Sequence, residues 1–176
     1  MTRNIDKTRR QGVEASFKGR YNEYFDGLIN YTFTEATIQS TFNISATKSV
    51  MPGSTIPLVP KNRLSVTGNV HPLDGATISL TGLYVGSQYY LNDETNVHPR
   101  LPDYFLLNGR LAYERLVPGG RLTAFLLLNN ILNKKYFTSG TMASNTLTGG
   151  GGLEQFVMPA PTFAIYGGLS YRFEGL

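Results

Sequence analysis

The feature that most constrains the fold of this chain is a two-residue alternation of side chains, which is clearest between Thr162 and Phe173. Successive side chains of an extended strand point to opposite faces. One face of this segment carries Phe163, Ile165, Gly167, Leu169, Tyr171 and Phe173. The other face carries Ala164, Tyr166, Gly168, Ser170 and Arg172. The segment therefore predicts a strand with one apolar face and one face of small or polar residues.

The same alternation recurs along the whole chain and predicts seven strands. Their approximate bounds are 11–18, 24–34, 62–71, 76–87, 103–115, 121–130 and 162–173. Aromatic and β-branched residues favour strands, and the 11 tyrosines and 10 phenylalanines agree with that preference. The pattern predicts an all-β fold, an antiparallel up-and-down meander of about seven strands.

The links between the predicted strands alternate between short and long. Two short links contain the tight-turn sequences Pro72-Leu73-Asp74-Gly75 and Val117-Pro118-Gly119-Gly120. The long links cover about 41–60, 89–102 and 134–161. A meander with such links has all its short turns at one end and all its long loops at the other, as outer-membrane barrels do. The pattern therefore favours the lipid-facing wall of a β-barrel.

Composition agrees with such a wall. Hydrophobic residues make up 41% of the chain, and no stretch reaches the roughly 20 apolar residues of a spanning helix. Barrel strands need only about 9–11 residues, half of them apolar. Several tyrosines also lie near predicted strand ends, where membrane barrels carry aromatic girdles. They are Tyr24, Tyr84, Tyr104, Tyr113 and Tyr171.

Several function classes are disfavoured. Cysteine is absent, so disulfides and thiolate metal sites are excluded. The formal charge of +4 is modest and its basic residues are scattered, which disfavours nucleic-acid binding. The two histidines, His71 and His98, do not have metal-ligand spacing. We find no catalytic constellation, and we predict neither an enzyme nor a metal or cofactor site.

Four charged residues are candidates for ligand contacts. Asp93 and Glu94 lie in a predicted long loop, where two carboxylates could contact a cationic ligand or a metal chelate. Arg110 and Arg172 lie on the polar face, where a guanidinium could contact an anionic ligand. The alternative is that the acids are solvated loop residues and that the arginines bond to polar neighbours in the wall.

Four segments, taken in order, carry a resemblance to a known family. They are Lys7-Thr8-Arg9-Arg10-Gln11-Gly12-Val13-Glu14, Pro57-Leu58-Val59-Pro60-Lys61-Asn62-Arg63-Leu64, Asn129-Asn130-Ile131-Leu132-Asn133-Lys134-Lys135-Tyr136 and Gly168-Leu169-Ser170-Tyr171-Arg172-Phe173. Together with the alternating links, they resemble the C-terminal part of a TonB-dependent outer-membrane receptor barrel, over nearly the whole chain. Such receptors have 22-stranded barrels with a plugged lumen.

The resemblance implies a role for the chain. Residues 1–176 would form C-terminal wall strands of the barrel, without a plug domain or signal peptide. Gly168, Tyr171 and Phe173 would belong to the terminal signal that the barrel-assembly machinery reads, and Phe173 would end in the periplasm. The partners would be outer-membrane lipid and, in the full-length receptor, a plug domain, the TonB energy-coupling complex and a metal-chelate ligand. The implied function is active uptake of ferric siderophores across a Gram-negative outer membrane.

Two alternatives stay open. A small self-contained outer-membrane barrel, such as a porin or adhesin, would need an eighth strand and a signal peptide. A soluble β-sandwich that binds carbohydrate would need to pack its polar face on a second sheet. The first six residues are polar, and seven strands are an odd number with two unpaired edges. We therefore expect a fragment, a truncated gene or a wrongly assigned start.

Overall fold

The computed structural model describes residues 7–45, 47–145 and 152–173, which form eleven strands joined by turns and loops. Seven of them make up one sheet: β1 (Thr8–Arg20), β2 (Phe25–Ile38), β5 (Asn62–Val70), β6 (Ala76–Val85), β7 (Tyr104–Val117), β8 (Gly120–Asn129) and β11 (Ala164–Phe173). Four shorter strands form two hairpins: β3 (Phe42–Asn43) with β4 (Ser49–Val50), and β9 (Phe137–Ser144) with β10 (Leu153–Pro159).

The order of the large sheet is β1-β2-β5-β6-β7-β8-β11, and every neighbouring pair is antiparallel. The predicted all-β meander is therefore confirmed, and each of the seven predicted strands has a counterpart. The largest differences in bounds are in β1 and β2, which both extend further toward the long loops than predicted.

The two ends of the sheet differ in their connections. The short links 21–24, 71–75 and 118–119 lie at one end, called here the short-turn end. The long links 39–61, 86–103 and 130–163 lie at the other, the long-loop end. Gly75 and Gly119 have φ angles of 79° and 82° in their turns, a conformation that glycine adopts without a steric penalty. Phe173 ends β11 at the short-turn end, because β11 begins at a long link.

Register across the sheet defines two faces, since paired residues lie on the same face. One row of the apolar face consists of Tyr31, Leu64, Tyr84 and Phe105. One row of the polar face consists of Asp26, Asn69, Ser79 and Arg110. Large hydrophobic residues of the apolar face are exposed, among them Phe17, Ile165 and Leu169 at 70%, 53% and 76%. As far as residues 7–45, 47–145 and 152–173 are concerned, the sheet is therefore a single layer, and no second layer covers its apolar face.

Charged residues divide between these faces very unevenly. In the seven strands, every charged side chain lies on the polar face except Arg9, Glu35 and Arg115. Arg9 and Glu35 lie at the long-loop end and Arg115 at the short-turn end. Between Phe105 and Tyr113 the apolar face of β7 carries no charge over a height of about 20 Å, at ~3.4 Å per residue and a tilt of ~40°, and we call this stretch the uncharged band. Outer-membrane barrels have an apolar band of about 25 Å.

One tyrosine departs from the girdle prediction. Tyr104 lies on the polar face, where its ring packs on that of Tyr136 with 4.5 Å between centroids. The alternation of β7 places it there, because Phe105 occupies the apolar face at this height. Tyr84, Tyr113 and Tyr171 lie on the apolar face, as predicted from their strands.

The buried core lies at the long-loop end. In the described part of the chain, the buried hydrophobic residues are Ala36, Ile38, Val50, Val85, Tyr90, Leu101, Leu106 and Met142. The long links were predicted as loops, but the first and third contain the β3–β4 and β9–β10 hairpins. Their sequences lack long alternating runs, so the hairpins were not predictable from periodicity.

The polar segment 1–6 and the final residues 174–176 lie outside the described residues, as do positions 149–151 of the predicted long link 134–161. Across the described ranges, no helix is long and apolar enough to cross a membrane, a finding that does not bear on strands.

Candidate functional site

The polar face carries a hydrogen-bonded network near the short-turn end. The Nε2 atom of His71 lies 2.6 Å from Asp26 Oδ2, and Asn69 Nδ2 donates to Asp26 Oδ1 at 2.7 Å. On the other side of the imidazole, Thr77 Oγ1 lies 3.3 Å from His71 Nδ1. Both ring nitrogens of His71 therefore have partners, and the Asp26 carboxylate is held from two directions.

A second network lies on the same face, further along the sheet. Glu114 forms an ion pair with Arg121 and accepts a hydrogen bond of 3.4 Å from Thr123 Oγ1. Arg172 is the cross-strand partner of Arg121. Like charges that lie directly opposite each other on neighbouring strands repel. Glu114 therefore offsets the repulsion between these two guanidinium groups.

A concavity of about 390 Å³ lies on the polar face at this end. Its charged and polar lining residues are Arg20, Glu23, His71, Asp74, Thr77, Arg110, Glu114 and Thr123. Arg110 is exposed and lies in register between Ser79 and Leu127. The structure thus brings Arg110 into a shared surface with both networks, whereas Arg172 lies beside this surface. Ligand contact by either arginine stays a prediction.

At the long-loop end, hydrogen bonds of Asn96 connect the central link 86–103 to the first long link. The backbone N–H of Thr55 donates to Asn96 Oδ1 at 2.5 Å, and Asn96 Nδ2 donates to the Thr55 carbonyl at 2.9 Å. A further backbone bond joins Leu58 N to Tyr89 O at 3.0 Å. The two links are therefore connected by paired polar contacts between residues far apart in sequence.

Hydrogen bonds of Asn92 connect the same central link to the third long link. Its Nδ2 donates to the Met142 carbonyl at 3.0 Å and to Thr141 Oγ1 at 3.1 Å. Backbone bonds continue this contact, from Leu91 N to Gly140 O at 2.9 Å and from Met142 N to Leu91 O at 2.8 Å. The three long links therefore pack as one unit, which we call the loop cluster (39–61, 86–103 and 130–163, in their described residues).

A small hydrophobic core lies inside the loop cluster. Tyr90, Leu101 and Met142 are buried together, and Phe137 packs against them. Gly140 makes room for the aromatic ring, since a Cβ atom there would lie 2.5 Å from Tyr90 Cε1. Burial also raises the pKa of the Tyr90 hydroxyl above its usual value. This core packs described residues of the second and third long links together.

The two acidic candidates of the central link have different surroundings. Asp93 is fully buried, and its carboxylate oxygens accept hydrogen bonds of 3.2 Å from the backbone N–H groups of Val97 and His98. Its neighbour Glu94 is half-buried. The structure therefore gives Asp93 a role in stabilising its own turn and does not present the two residues as an exposed carboxylate pair. Ligand contact by either residue stays a prediction.

An aromatic and cationic pair lies on the outside of the same link. The Arg100 guanidinium lies 4.7 Å from the centroid of the Tyr89 ring, and its Nη2 donates to Tyr89 Oη at 3.0 Å. The sequence predictions did not identify this pair, because the partners are eleven positions apart in an irregular segment.

The sequence predictions also missed a group of asparagines with left-handed backbone conformations. Asn92, Asn96, Asn130 and Asn133 have φ angles of 66°, 58°, 51° and 50°. Asparagine adopts this conformation more readily than most residues. The buried side chain of Asn130 donates to and accepts from the backbone of Lys134, at 2.8 and 2.9 Å. An asparagine in a loop was the available signal, but it does not reveal its partner.

The three residues of the predicted assembly signal lie on β11. Tyr171 Oη donates to the Pro118 carbonyl at 3.2 Å, and its ring lies edge-on to Phe173 at 4.6 Å. Phe173 is 82% exposed. Gly168 is covered by the Phe125 ring, which lies 2.5 Å from where a Cβ atom would be. Recognition of these residues by an assembly machinery stays a prediction.

No group of three or more potential metal ligands occurs among the described residues. The arrangement suits binding and wall formation. It consists of a two-faced sheet, a charged concavity on the polar face and an ordered loop cluster at one end.

Known proteins resemble this arrangement. A family model described as "TonB dependent receptor-like, beta-barrel" matches residues 1–131. A protein of Haemophilus influenzae named "Uncharacterized TonB-dependent receptor" is 28% identical over 149 aligned residues, and the match covers 81% of this chain and 42% of that protein.

Solved structures share the fold. The siderophore receptor PiuA of Acinetobacter baumannii has a TM-score of 0.66 and 17% identity, covering 90% of this chain and 21% of the receptor. The ferric yersiniabactin uptake receptor FyuA of Yersinia pestis has a TM-score of 0.66 and 17% identity, covering 96% and 24%. The ferric preacinetobactin receptor BauA of Acinetobacter baumannii has a TM-score of 0.62 and 23% identity, covering 93% and 22%.

This chain thus spans less than half the length of the curated relative and under a quarter of each solved receptor. The neighbours are receptor barrels, so the fold expectation is confirmed. Since the family model matches most of the 176 residues, the chain belongs to the family of TonB-dependent receptor-like β-barrels.

Proposed function

We propose that this chain forms the C-terminal part of the barrel wall of an outer-membrane TonB-dependent receptor that imports ferric siderophores. Members of the family are receptors and transporters rather than enzymes, which agrees with the expectation from the sequence. In the whole receptor, a plug domain would close the lumen and the TonB energy-coupling complex would drive its opening.

The observation that carries the proposal is the distribution of charge. Arginine or lysine on a lipid-facing position near the bilayer midplane costs ~2–4 kcal/mol, and the cost falls toward the interfaces. On the apolar face the described strands carry charge only at their ends, at Arg9, Glu35 and Arg115. The opposite face has a charged concavity, which suits a wet lumen better than the packed core of a β-sandwich.

A matched pair of substitutions tests the wall. Leu111 and Ala112 are adjacent on β7, the first on the apolar face and the second on the polar face. We expect Leu111→Arg to reduce the free energy of folding into phosphatidylcholine vesicles by about 2–4 kcal/mol, and Ala112→Arg to have little effect. Folding is measured by protease protection and by heat-dependent gel mobility. A stable monomer in plain buffer, or equal effects of both substitutions, would contradict the proposed membrane position.

Ferric siderophores are proposed as cargo because the structural neighbours named above are siderophore receptors. The loop cluster and the polar face are the surfaces of this chain that such a cargo would meet. A chimera in which this chain replaces the corresponding strands of a ferric siderophore receptor tests the idea. We expect the chimera to reach the outer membrane and to take up ⁵⁵Fe-siderophore. A chimera that is assembled but does not take up iron with any siderophore class would contradict the cargo assignment alone.

A further inference from the structure

We infer that Arg115 binds the phosphate of an anionic phospholipid headgroup, in the membrane leaflet that meets the short-turn end. The inference rests on the proposed membrane position of the chain. It assigns a role to a residue that neither the polar-face networks nor the loop cluster includes.

Arg115 lies on the apolar face at the end of the uncharged band. Its cross-strand partner is Leu122, which pairs in turn with Tyr171, so the three residues form one row across β7, β8 and β11. Tyr113 lies on the same face, two positions closer to the middle of β7. Arg115 is exposed, and no ion pair or hydrogen bond of its side chain occurs within the described residues. Its guanidinium therefore projects from an apolar and aromatic surface.

This placement matches the boundary between hydrocarbon and headgroups. Tyrosines concentrate at that level in membrane barrels, and Tyr113 and Tyr171 flank Arg115 there. The aliphatic part of an arginine can lie along apolar surface while its charged end reaches the polar layer. The planar guanidinium then offers paired donors that fit phosphate oxygens.

Charge on this face favours a lipid over a protein partner. The described strands carry one acid on the apolar face, Glu35, which lies at the long-loop end and accepts a 2.5 Å hydrogen bond from Gln11 Nε2. The acid next to Arg115 in sequence, Glu114, lies on the polar face and pairs with Arg121. Arg115 is therefore a cation at the border of the uncharged band, and its side chain has no acidic partner within the described residues. An anionic lipid complements both features, because its acyl chains suit the uncharged band and its headgroup suits the cation.

The test compares binding of the full chain to two kinds of vesicle, pure phosphatidylcholine and phosphatidylcholine containing phosphatidylglycerol. The apparent partition coefficient is measured by flotation, for the unchanged chain, for Arg115→Gln and for Lys18→Gln. Lys18 is an exposed cation on the polar face of β1, so its substitution removes the same charge from the opposite face. Strand content of each variant is checked by circular dichroism in detergent.

We expect the preference for phosphatidylglycerol vesicles to fall about five-fold in Arg115→Gln, as for one cation near an anionic surface. Lys18→Gln is expected to keep most of the preference. An unchanged preference in Arg115→Gln, or an equal loss in both variants, overturns this inference and leaves the membrane position intact. Failure of the unchanged chain to bind either vesicle overturns the membrane position as well, and the two failures are thereby distinguished.

Discussion

Replacing Asn96 is expected to release the central long link from the first one. Asn96 exchanges two hydrogen bonds with the backbone of Thr55, of 2.5 and 2.9 Å. Its Nδ2 atom also donates to the Asp93 carbonyl at 3.0 Å, within the central link itself. At a net contribution of roughly 1 kcal/mol per bond, the two bonds to Thr55 contribute about 2 kcal/mol to the contact between the two links. Asn96→Gly removes the side-chain bonds without backbone strain, because glycine readily adopts the φ of 58°. Asn96→Ala adds the cost of a left-handed conformation, about 1–2 kcal/mol.

The assay is amide hydrogen exchange of the chain folded in detergent. The N–H of Thr55 donates to Asn96, so its protection reports the contact directly. A loss of about 2 kcal/mol corresponds to exchange roughly 30-fold faster in Asn96→Gly, and Asn96→Ala should be faster still. The amide of Ile56 donates to Ala36 O at 2.9 Å and serves as an internal reference in the same link.

Asn92→Gly provides the matched control. Asn92 has the same residue type, a similar φ of 66° and a place in the same link, but it bonds to Met142 on the other side. The Met142 amide donates to Leu91 O, next to Asn92 in the same contact. We therefore expect Asn92→Gly to speed exchange of the Met142 amide and to leave the Thr55 amide protected. The reasoning would be refuted by a Thr55 amide that exchanges no faster in Asn96→Gly than in the unchanged chain.

Three further outcomes follow from the contacts. Gly140→Ala should destabilise the loop cluster by about 1–3 kcal/mol, because the new Cβ atom would lie 2.5 Å from the Tyr90 ring. The susceptibility to limited proteolysis measures this loss. Gly68→Ala is the control, since a Cβ atom at that position would have no atom within 4 Å. Burial raises the pKa of Tyr90, so the stability that depends on its neutral hydroxyl should be complete below pH 10 and be lost as pH rises through the raised pKa. The rate of limited proteolysis should therefore increase at alkaline pH. Tyr90→Phe should remove this pH dependence. Glu114→Gln should lower the stability to unfolding in urea only slightly, and the difference should shrink at high salt, because the pair with Arg121 is partly exposed. A large, salt-independent loss would contradict this.

The strands of the large sheet were predictable because their signal is local. In β11, alternation placed Ile165 and Leu169 on one face and Ser170 and Arg172 on the other, and the structure confirms this division. The tight-turn sequences around Gly75 and Gly119 fixed the short links in the same way. A two-residue period and a glycine in a turn need no knowledge of distant residues.

The loop cluster was not predictable, because its contacts join residues far apart in sequence. Asn96 and Thr55 are 41 positions apart, and Asn92 and Met142 are 50 apart. The sequence showed Asp93 as an acid in a loop, and only the packed turn reveals that its carboxylate is buried. Hydrophobic periodicity therefore determined the wall from the sequence alone. The loop cluster depends on which side chains the folded wall brings together, and the tertiary structure decided that.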